Sequence, residues 1–306
     1  MTPPAGRVAV VTGASAGIGK ATARALAALG WRVIGIGRDP QRTAAAEAEL
    51  RGAAAAGGSV EFIRADFDRM GEVVRAARDI AALAQHVDVL INNAGGVRDR
   101  LYLTPDGIEA TFAANHLAPF LLTRELMPLL RRAARRNPPG SVRVLAVSSL
   151  AHSRCHGIDW SDLQLRNDYT TSAAYAQAKL ANLLFTRELA RRAAADGIVA
   201  HAMHPGIVDS NFAAHGDANM RAYFRGKQQL ARPEDAARTL VWLATAPEPG
   251  QSTGGYYYDC APAESSAVAR DDSLAARLWQ ESEALLARLG YGADAGRNDV
   301  RSVNRP

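Results

Sequence analysis

Tyr175 and Lys179 stand four residues apart in Tyr175-Ala176-Gln177-Ala178-Lys179, inside a segment with helical periodicity. That spacing puts a phenol and an ammonium on one helix face, one turn apart. A free phenol ionises near pH ~10, too high for easy proton exchange at neutral pH, and a neighbouring cation brings it down. The pair is therefore a candidate proton donor and acceptor, with Lys179 as its tuner. Ser148-Ser149 closes an apolar β-type run. Side chains alternate along a strand, so one of the two hydroxyls faces the same site, where it can hydrogen-bond a substrate carbonyl. Asn115 lies four residues before Pro119. Proline has no N–H to bond the Asn115 carbonyl, and a polar residue beside an unclaimed carbonyl can hold a water. Singly, each feature also fits a plain structural role: a surface Tyr/Lys pair, a turn serine, a proline kink.

These groups need a scaffold, and the chain alternates strands with helices. The apolar run Val8-Ala9-Val10-Val11 leads into Thr12-Gly13-Ala14-Ser15-Ala16-Gly17-Ile18-Gly19, followed by helical residues 20–27. A glycine-rich turn between strand and helix cradles a pyrophosphate. Gly13 permits the tight turn, Gly17 the approach of phosphates, and Gly19 close packing of helix on strand, with the helix N-terminus facing the anion. Asn92-Asn93-Ala94-Gly95-Gly96 follows the fourth strand, where small residues admit a flat ligand. Strands are expected at 8–12, 31–36, 59–64, 87–91, 141–147, 198–203 and 256–258. Helices are expected at about 18–29, 40–56, 69–84, 105–136, 172–194 and 233–246. Apolar strands alternating with helices predict an α/β fold, a doubly wound parallel sheet with helices on both faces.

No linker interrupts the pattern, so residues 1–306 read as one domain, with a core over 7–260, a C-terminal helical extension over 261–291 and a flexible tail over 292–306. In the extension, residues 273–289 have helical periodicity, with Asp272 or Ser273 as cap and Gly290 as terminator. Segments 150–171 and 207–231 read as loops leaving the carboxyl ends of adjacent strands, where open α/β sheets bind ligands. Their Leu150, Ile158, Trp160, Phe212, Tyr223 and Phe224 supply an apolar pocket wall, and His152 a further substrate contact.

Composition narrows the function. Apolar residues make up 48% of the 306, enough for a sizeable core. Net charge is +5, but the arginines are scattered, which argues against a nucleic-acid footprint. The densest cluster, between Arg131 and Arg136, falls at a helix end and suits the helix dipole. Two cysteines, Cys155 and Cys260, make no disulfide framework and agree with a reducing cytoplasm. The first strand begins too early for a signal peptide or a membrane anchor. His201 and His204 fall on opposite strand faces, and His152 and His156 lack further ligands, so no metal site is expected.

Thr12-Gly13-x-x-x-Gly17-Ile18-Gly19, Asn92-Asn93-Ala94-Gly95, Asn115, Ser149, Tyr175-x-x-x-Lys179 and Pro205-Gly206 occur in that order. In this set the chain resembles the short-chain dehydrogenase/reductase family, single-domain type. Asp106-Gly107-Ile108-Glu109, Asn115-His116-Leu117, Val147-Ser148-Ser149-Leu150-Ala151-His152, Lys179-Leu180-Ala181-Asn182 and His204-Pro205-Gly206 are similar to its retinol-dehydrogenase-like branch. The resemblance implies a Rossmann-like, seven-stranded parallel sheet of order 3-2-1-4-5-6-7 and hydride transfer with a nicotinamide cofactor. It implies Tyr175 as general acid/base and Ser149 as the hydroxyl that orients the reacting oxygen. Lys179 would tune Tyr175 and bind the nicotinamide ribose, and Asn115 would hold a relay water. It also implies Asn93, Ala94 and Gly95 near the adenosine ribose, Asp66 at adenine, and Pro205, Gly206, Ile207 and Ser210 at the carboxamide. A homodimer or homotetramer belongs to the same expectation.

Cofactor choice turns on the end of the second strand. Gly37-Arg38 stands where an acidic residue would select NAD(H). Arg38 can clamp a 2′-phosphate bidentately and Ser15 can add a hydroxyl, while Asp39 reads as a helix cap. The expectation is an NADP(H)-dependent enzyme interconverting a carbonyl and a primary or secondary alcohol on a small hydrophobic substrate. The alternatives are NAD(H) dependence, a non-catalytic nucleotide sensor or scaffold, and an epimerase or dehydratase that recycles its cofactor.

Overall fold

Seven apolar runs become the strands of one sheet, and an eighth strand joins its edge. The computed structural model describes residues 6–227 and 229–292. In spatial order the sheet reads β3-β2-β1-β4-β5-β6-β7-β8. Its strands are β1 (Val8–Thr12), β2 (Arg32–Gly37), β3 (Ser59–Arg64), β4 (Val89–Asn92), β5 (Val142–Val147), β6 (Ile198–Met203), β7 (Tyr256–Tyr258) and β8 (Ala261–Pro262). β3 through β7 pair parallel with their neighbours, as the alternating pattern predicts. The expected sheet had seven parallel strands; β8 corrects this, pairing antiparallel to β7 through Tyr257↔Pro262 and Tyr258↔Ala261. Between them Asp259 (φ 44°) and Cys260 (φ 60°) both take left-handed backbone. Two such residues make the tight hairpin that matches strand twist. Without Asn-Gly or Asp-Gly, the sequence carries no strong sign of it.

The helices are α1 (Gly17–Ala28), α2 (Pro40–Ala53), α3 (Met70–Leu83), α4 (Ala110–Phe112), α5 (Ala118–Ala134), α6 (Thr171–Ala193), α7 (Ala218–Arg225), α8 (Pro233–Thr245) and α9 (Asp272–Arg288). Alternation along β1 explains the two layers. Val8 and Val10 join a core with Met70, Val73, Leu121 and Phe185, while Ala9 and Val11 join one with Leu26, Leu240 and Leu243. Both sheet faces are thus covered, as an all-parallel arrangement requires.

Three elements depart from the periodicity reading. The helix expected over 105–136 starts only at Ala110, where Glu109 caps it by accepting the N–H groups of Thr111 (2.8 Å) and Phe112 (2.6 Å). It then widens into a π turn over Ala113–Leu117, in which the Ala118 N–H bonds the Ala113 carbonyl. Segment 207–231 holds α7, capped by Asp217 on the Met220 N–H at 2.8 Å; at eight residues it is too short to announce itself. The C-terminal helix is capped one residue earlier than expected, by Asp271 on the N–H groups of Ser273 and Leu274. It seats on α6, where Trp279 stacks on Phe185 with rings 5.8 Å apart. Among the described residues no helix is long and apolar enough to cross a membrane. The tail expected to be flexible falls, except for Gly292, outside the described residues.

Candidate active site

A cleft of about 1140 Å³ opens along the carboxyl ends of the strands. It lies where the chain order reverses between β1 and β4, the switch point at which such sheets bind ligands. Its floor is the glycine turn. Gly13 (φ 67°) and Gly17 (φ 53°) adopt left-handed backbone that side-chain-bearing residues avoid. A Cβ on Gly19 would sit 2.4 Å from both the Gly13 carbonyl and Asn93 Nδ2, so only glycine lets the turn close. α1 begins at Gly17 behind Ala16, which offers no side-chain cap and leaves the first N–H groups of the helix to the cleft.

Thr12 ties this turn to the loop after β4, a role the motif reading missed. Its fully buried hydroxyl accepts the N–H groups of Asn93 (3.0 Å) and Ala94 (2.8 Å) and donates to the Ile91 carbonyl (3.3 Å). Asn93 Nδ2 donates to the Thr12 carbonyl at 2.8 Å, so this amide is spent on holding two loops together. The available signal was a hydroxyl at the last position of a fully apolar strand.

At the far end of the cleft, Arg38 is 52% exposed and lies 4.0 Å from Asp66 and 3.9 Å from Asp68. Ion pairs this long and this exposed contribute little, roughly 0–1 kcal/mol. Asp68 is held instead by Arg98 at 2.9 Å. Asp39 caps α2 through the Arg42 N–H at 2.8 Å, and Arg42 joins Ser15 and Arg38 on the cleft wall.

At the other end, packing separates the two serines. Ser148 is buried and donates to the Lys179 carbonyl at 2.8 Å. Ser149 lines the cleft together with Tyr175, and its hydroxyl accepts the Ala151 N–H at 3.1 Å. Lys179 Nζ lies 5.5 Å from the Tyr175 ring centre and donates to the Val147 carbonyl at 2.9 Å. Burial pushes the Tyr175 phenol up to about 12, with the Ser149 side chain opposing, and pushes Lys179 down to about 8. The lowering expected from the Tyr/Lys spacing does not arise: desolvation dominates and Lys179 makes no resolved contribution.

Asn115 sits in the π turn and reaches across to the β4 loop. Its amide nitrogen donates to the carbonyls of Gly96 (2.8 Å) and Thr111 (2.7 Å), and its Oδ1 accepts the Gly96 N–H (3.2 Å). A Cβ on Gly95 would come within 2.4 Å of that Oδ1. The Asn115 carbonyl, expected to bind water, accepts Asn182 Nδ2 at 2.7 Å, so a side chain from α6 replaces the helical donor that Pro119 lacks.

The apolar wall differs in part from expectation. Leu150, Phe212, Tyr223 and Phe224 line the cleft, and the Phe212 ring lies 5.0 Å from that of Tyr175. Ile158 is instead buried in the core around Leu180 and Leu278, and Trp160 lies under the Arg277 guanidinium at 4.4 Å. His152 turns inward: its ring bonds the Ser149 carbonyl at 2.7 Å and the Ser266 N–H at 3.1 Å, away from the cleft. Pro205, Gly206, Ile207 and Ser210 form the opposite lip, with Ser210 Cβ 3.9 Å from a Cβ built on Gly17. His201 is committed to the Pro249 carbonyl and the Gly255 N–H. Among the described residues no group of three His, Cys, Asp or Glu is placed to hold a metal.

Next to Asn115, His116 is fully enclosed by Phe112, Phe120 and Phe185 and bonds Ser282 at 2.8 Å. Burial pushes it down to about 3. Between pH 3 and about 6.5 the unfolded chain binds a proton here that the folded chain does not, so stability falls as pH falls through that window, by roughly 1.4 kcal/mol per pH unit at most. His116→Phe is expected to flatten this acid limb in urea titrations at pH 4 to 7. An unchanged slope would assign it to other groups.

The sequence model described as short chain dehydrogenase matches residues 7–221. The chain belongs to the short-chain dehydrogenase family. It is 39% identical to mouse polyprenol dehydrogenase over 298 residues, covering 96% of this chain and 88% of that one. Human retinol dehydrogenase 13 is 35% identical over 288 residues, covering 92% and 85%. The solved Pseudomonas aeruginosa RhlG/NADP active-site complex superposes with a TM-score of 0.66 at 28% identity, covering 83% and 94%. The dehydrogenase falls in the retinol-dehydrogenase-like branch and is an oxidoreductase acting on CH–OH groups.

Proposed function

We propose that this dehydrogenase is an NADP(H)-dependent enzyme that interconverts a carbonyl with a primary or secondary alcohol on a hydrophobic substrate, in the cytoplasm. The observation that carries the reading is that Ser149, Tyr175 and, one turn on, Lys179 share the wall of a cleft that begins at the glycine turn. The residues fit a dinucleotide: a Cβ would fill the turn at Gly19, and the uncapped α1 faces it. Gly13, Ser15, Gly17, Ile18 and Gly19 would hold the pyrophosphate, Arg38 with Ser15 the 2′-phosphate, and Asp66 the adenine. Asn93, Ala94 and Gly95 would flank one ribose and Lys179 bind the other. Pro205, Gly206, Ile207 and Ser210 would hold the carboxamide.

A nicotinamide cofactor, when bound, supplies or accepts the hydride. The chain supplies the proton. Tyr175, a phenol at about 12, is protonated at neutral pH and is a donor to the carbonyl oxygen in reduction. Ser149 holds that oxygen, and the Lys179 ammonium stabilises the phenolate left behind. Asn115 positions the loop that faces them. Leu150, Phe212, Tyr223 and Phe224 give the substrate an apolar wall. The names of the polyprenol and retinol relatives support an apolar alcohol, and the NADP in the RhlG complex supports a nicotinamide cofactor.

Thermal unfolding with saturating NADP(H), and separately NAD(H), tests the cofactor. A ligand that binds only the native state raises the midpoint. NADP(H) is expected to do so more strongly, and no shift with either would overturn the reading. Arg38→Asp removes a charge-assisted contact of about 1.5–3 kcal/mol, so the KM for NADPH is expected to rise roughly tenfold to hundredfold. An unchanged NADPH preference would sink the arginine's role. Net consumption of NADPH over a panel of apolar carbonyls separates a reductase from a sensor, and light scattering reads an assembly of two or four copies.

A further inference from the structure

His152 is 1% exposed, and both of its ring nitrogens are engaged. Nε2 accepts the Ser266 backbone N–H at 3.1 Å and so carries no proton. The ring proton therefore sits on Nδ1, which donates to the Ser149 carbonyl at 2.7 Å. Edge-on contact with the Tyr256 ring at 5.3 Å fixes the imidazole plane. Ser266 lies in the extension between β8 and α9 and is held by its own turn, where its hydroxyl accepts the Ala269 N–H.

We propose that His152 is a positioning residue that clamps the Ser149 backbone to the C-terminal extension and keeps the Ser149 hydroxyl aimed at Tyr175. The peptide planes on either side of a serine set its Cα–Cβ direction, and its χ1 rotamer, held here by the Ala151 N–H at 3.1 Å, then places the hydroxyl. On the N-terminal side, Ser148 is pinned by its N–H to the Met203 carbonyl at 2.7 Å and by its hydroxyl to the Lys179 carbonyl at 2.8 Å. On the C-terminal side the Ser149 carbonyl receives His152 twice, from the ring and from the backbone N–H at 3.2 Å. Removing the ring donor leaves the second plane with only the longer backbone bond, just where the chain leaves β5. The extension beyond β7 thereby takes part in the site although none of it lines the cleft. The inference rests on the proposed role of Ser149.

His152→Asn places an amide nitrogen near Nδ1, whereas His152→Gln places its terminal oxygen near Nε2 and loses the donor to Ser149. If the clamp acts through Ser149, the Asn variant, which keeps the donor to Ser149 and gives up the Ser266 tie, retains more kcat than the Gln variant. The Gln variant loses on the order of 10- to 100-fold in kcat, as a misplaced catalytic group does. In a Ser149→Ala background the same Gln change is expected to cost nothing further. Equal losses in both backgrounds, or a Gln variant with the parent kcat, would overturn the proposal. Nitrogen-15 NMR of labelled histidine in the intact protein is expected to show Nδ1 protonated and Nε2 bare at pH 7. The opposite tautomer overturns the clamp whatever the kinetics. A Ser149→Ala enzyme as fast as the parent would instead refute the proposed function, and this inference with it.

Discussion

Tyr175→Phe is expected to lower kcat for carbonyl reduction roughly 10²- to 10⁴-fold, the range a positioned general acid supplies. The phenyl ring keeps the packing against Phe212, 5.0 Å away, and loses only the hydroxyl. Folding and NADP(H) binding should therefore survive, and the thermal shift with cofactor should match the parent's. Stopped-flow single turnover with saturating NADPH checks this, because it separates chemistry from product release. A kcat within tenfold of the parent would show that the proton comes from elsewhere, and the assignment of Tyr175 would fall. Burial has placed the phenol near 12 and the ammonium of Lys179 near 8, so the two groups are charged oppositely only after the proton has left Tyr175. Their attraction is then strongest in the state that follows proton transfer, which is where stabilisation accelerates a reaction.

Gly19→Ala is expected to abolish the cofactor-induced thermal shift and to destabilise the protein by about 1–3 kcal/mol, the usual cost of overpacking. One methyl group would lie 2.4 Å from the Gly13 carbonyl and 2.4 Å from Asn93 Nδ2. The first is backbone, and the second is held by its bond to the Thr12 carbonyl at 2.8 Å, so neither moves aside without opening the turn. The lesion therefore spreads to both loops that floor the cleft. Differential scanning fluorimetry with and without NADP(H) reads both effects together. An alanine variant with the parent midpoint and the parent shift would mean that the turn tolerates a side chain, and the dinucleotide assignment would lose its main steric support. Gly17→Ala is a milder control: its Cβ would meet only Ser210 Cβ at 3.9 Å, leaving the left-handed φ of 53° as the main penalty.

Short-range chemistry was legible in the chain. The glycine spacing, the i,i+4 Tyr/Lys pair and the apolar runs are local patterns with local physical meaning; the runs give the doubly wound sheet, and the motifs carry the family resemblance that implies its strand order. The periodicity of Val8–Thr12 alone implies a strand covered on both faces, and β1 is covered on both. Asp39 as the cap of α2 is equally local.

What the sequence left open depends on partners far along the chain. Ser148 and Ser149 are alike until Lys179, 31 residues from Ser148, offers a carbonyl to one of them. The Asn115 carbonyl looks unclaimed until Asn182, 67 residues away, donates to it. His152 is a plausible substrate contact until Ser266, 114 residues on, supplies an N–H that turns the ring inward. The pKa of Tyr175 follows the same rule. Spacing to Lys179 is a property of one helix, but burial is a property of everything packed around it, and it is desolvation that raises the phenol. The sequence by itself determined which groups this protein brings to its cleft; only the tertiary structure decided which of them face it, because hydrogen-bond partners and burial are set by contacts between segments that no local period encodes.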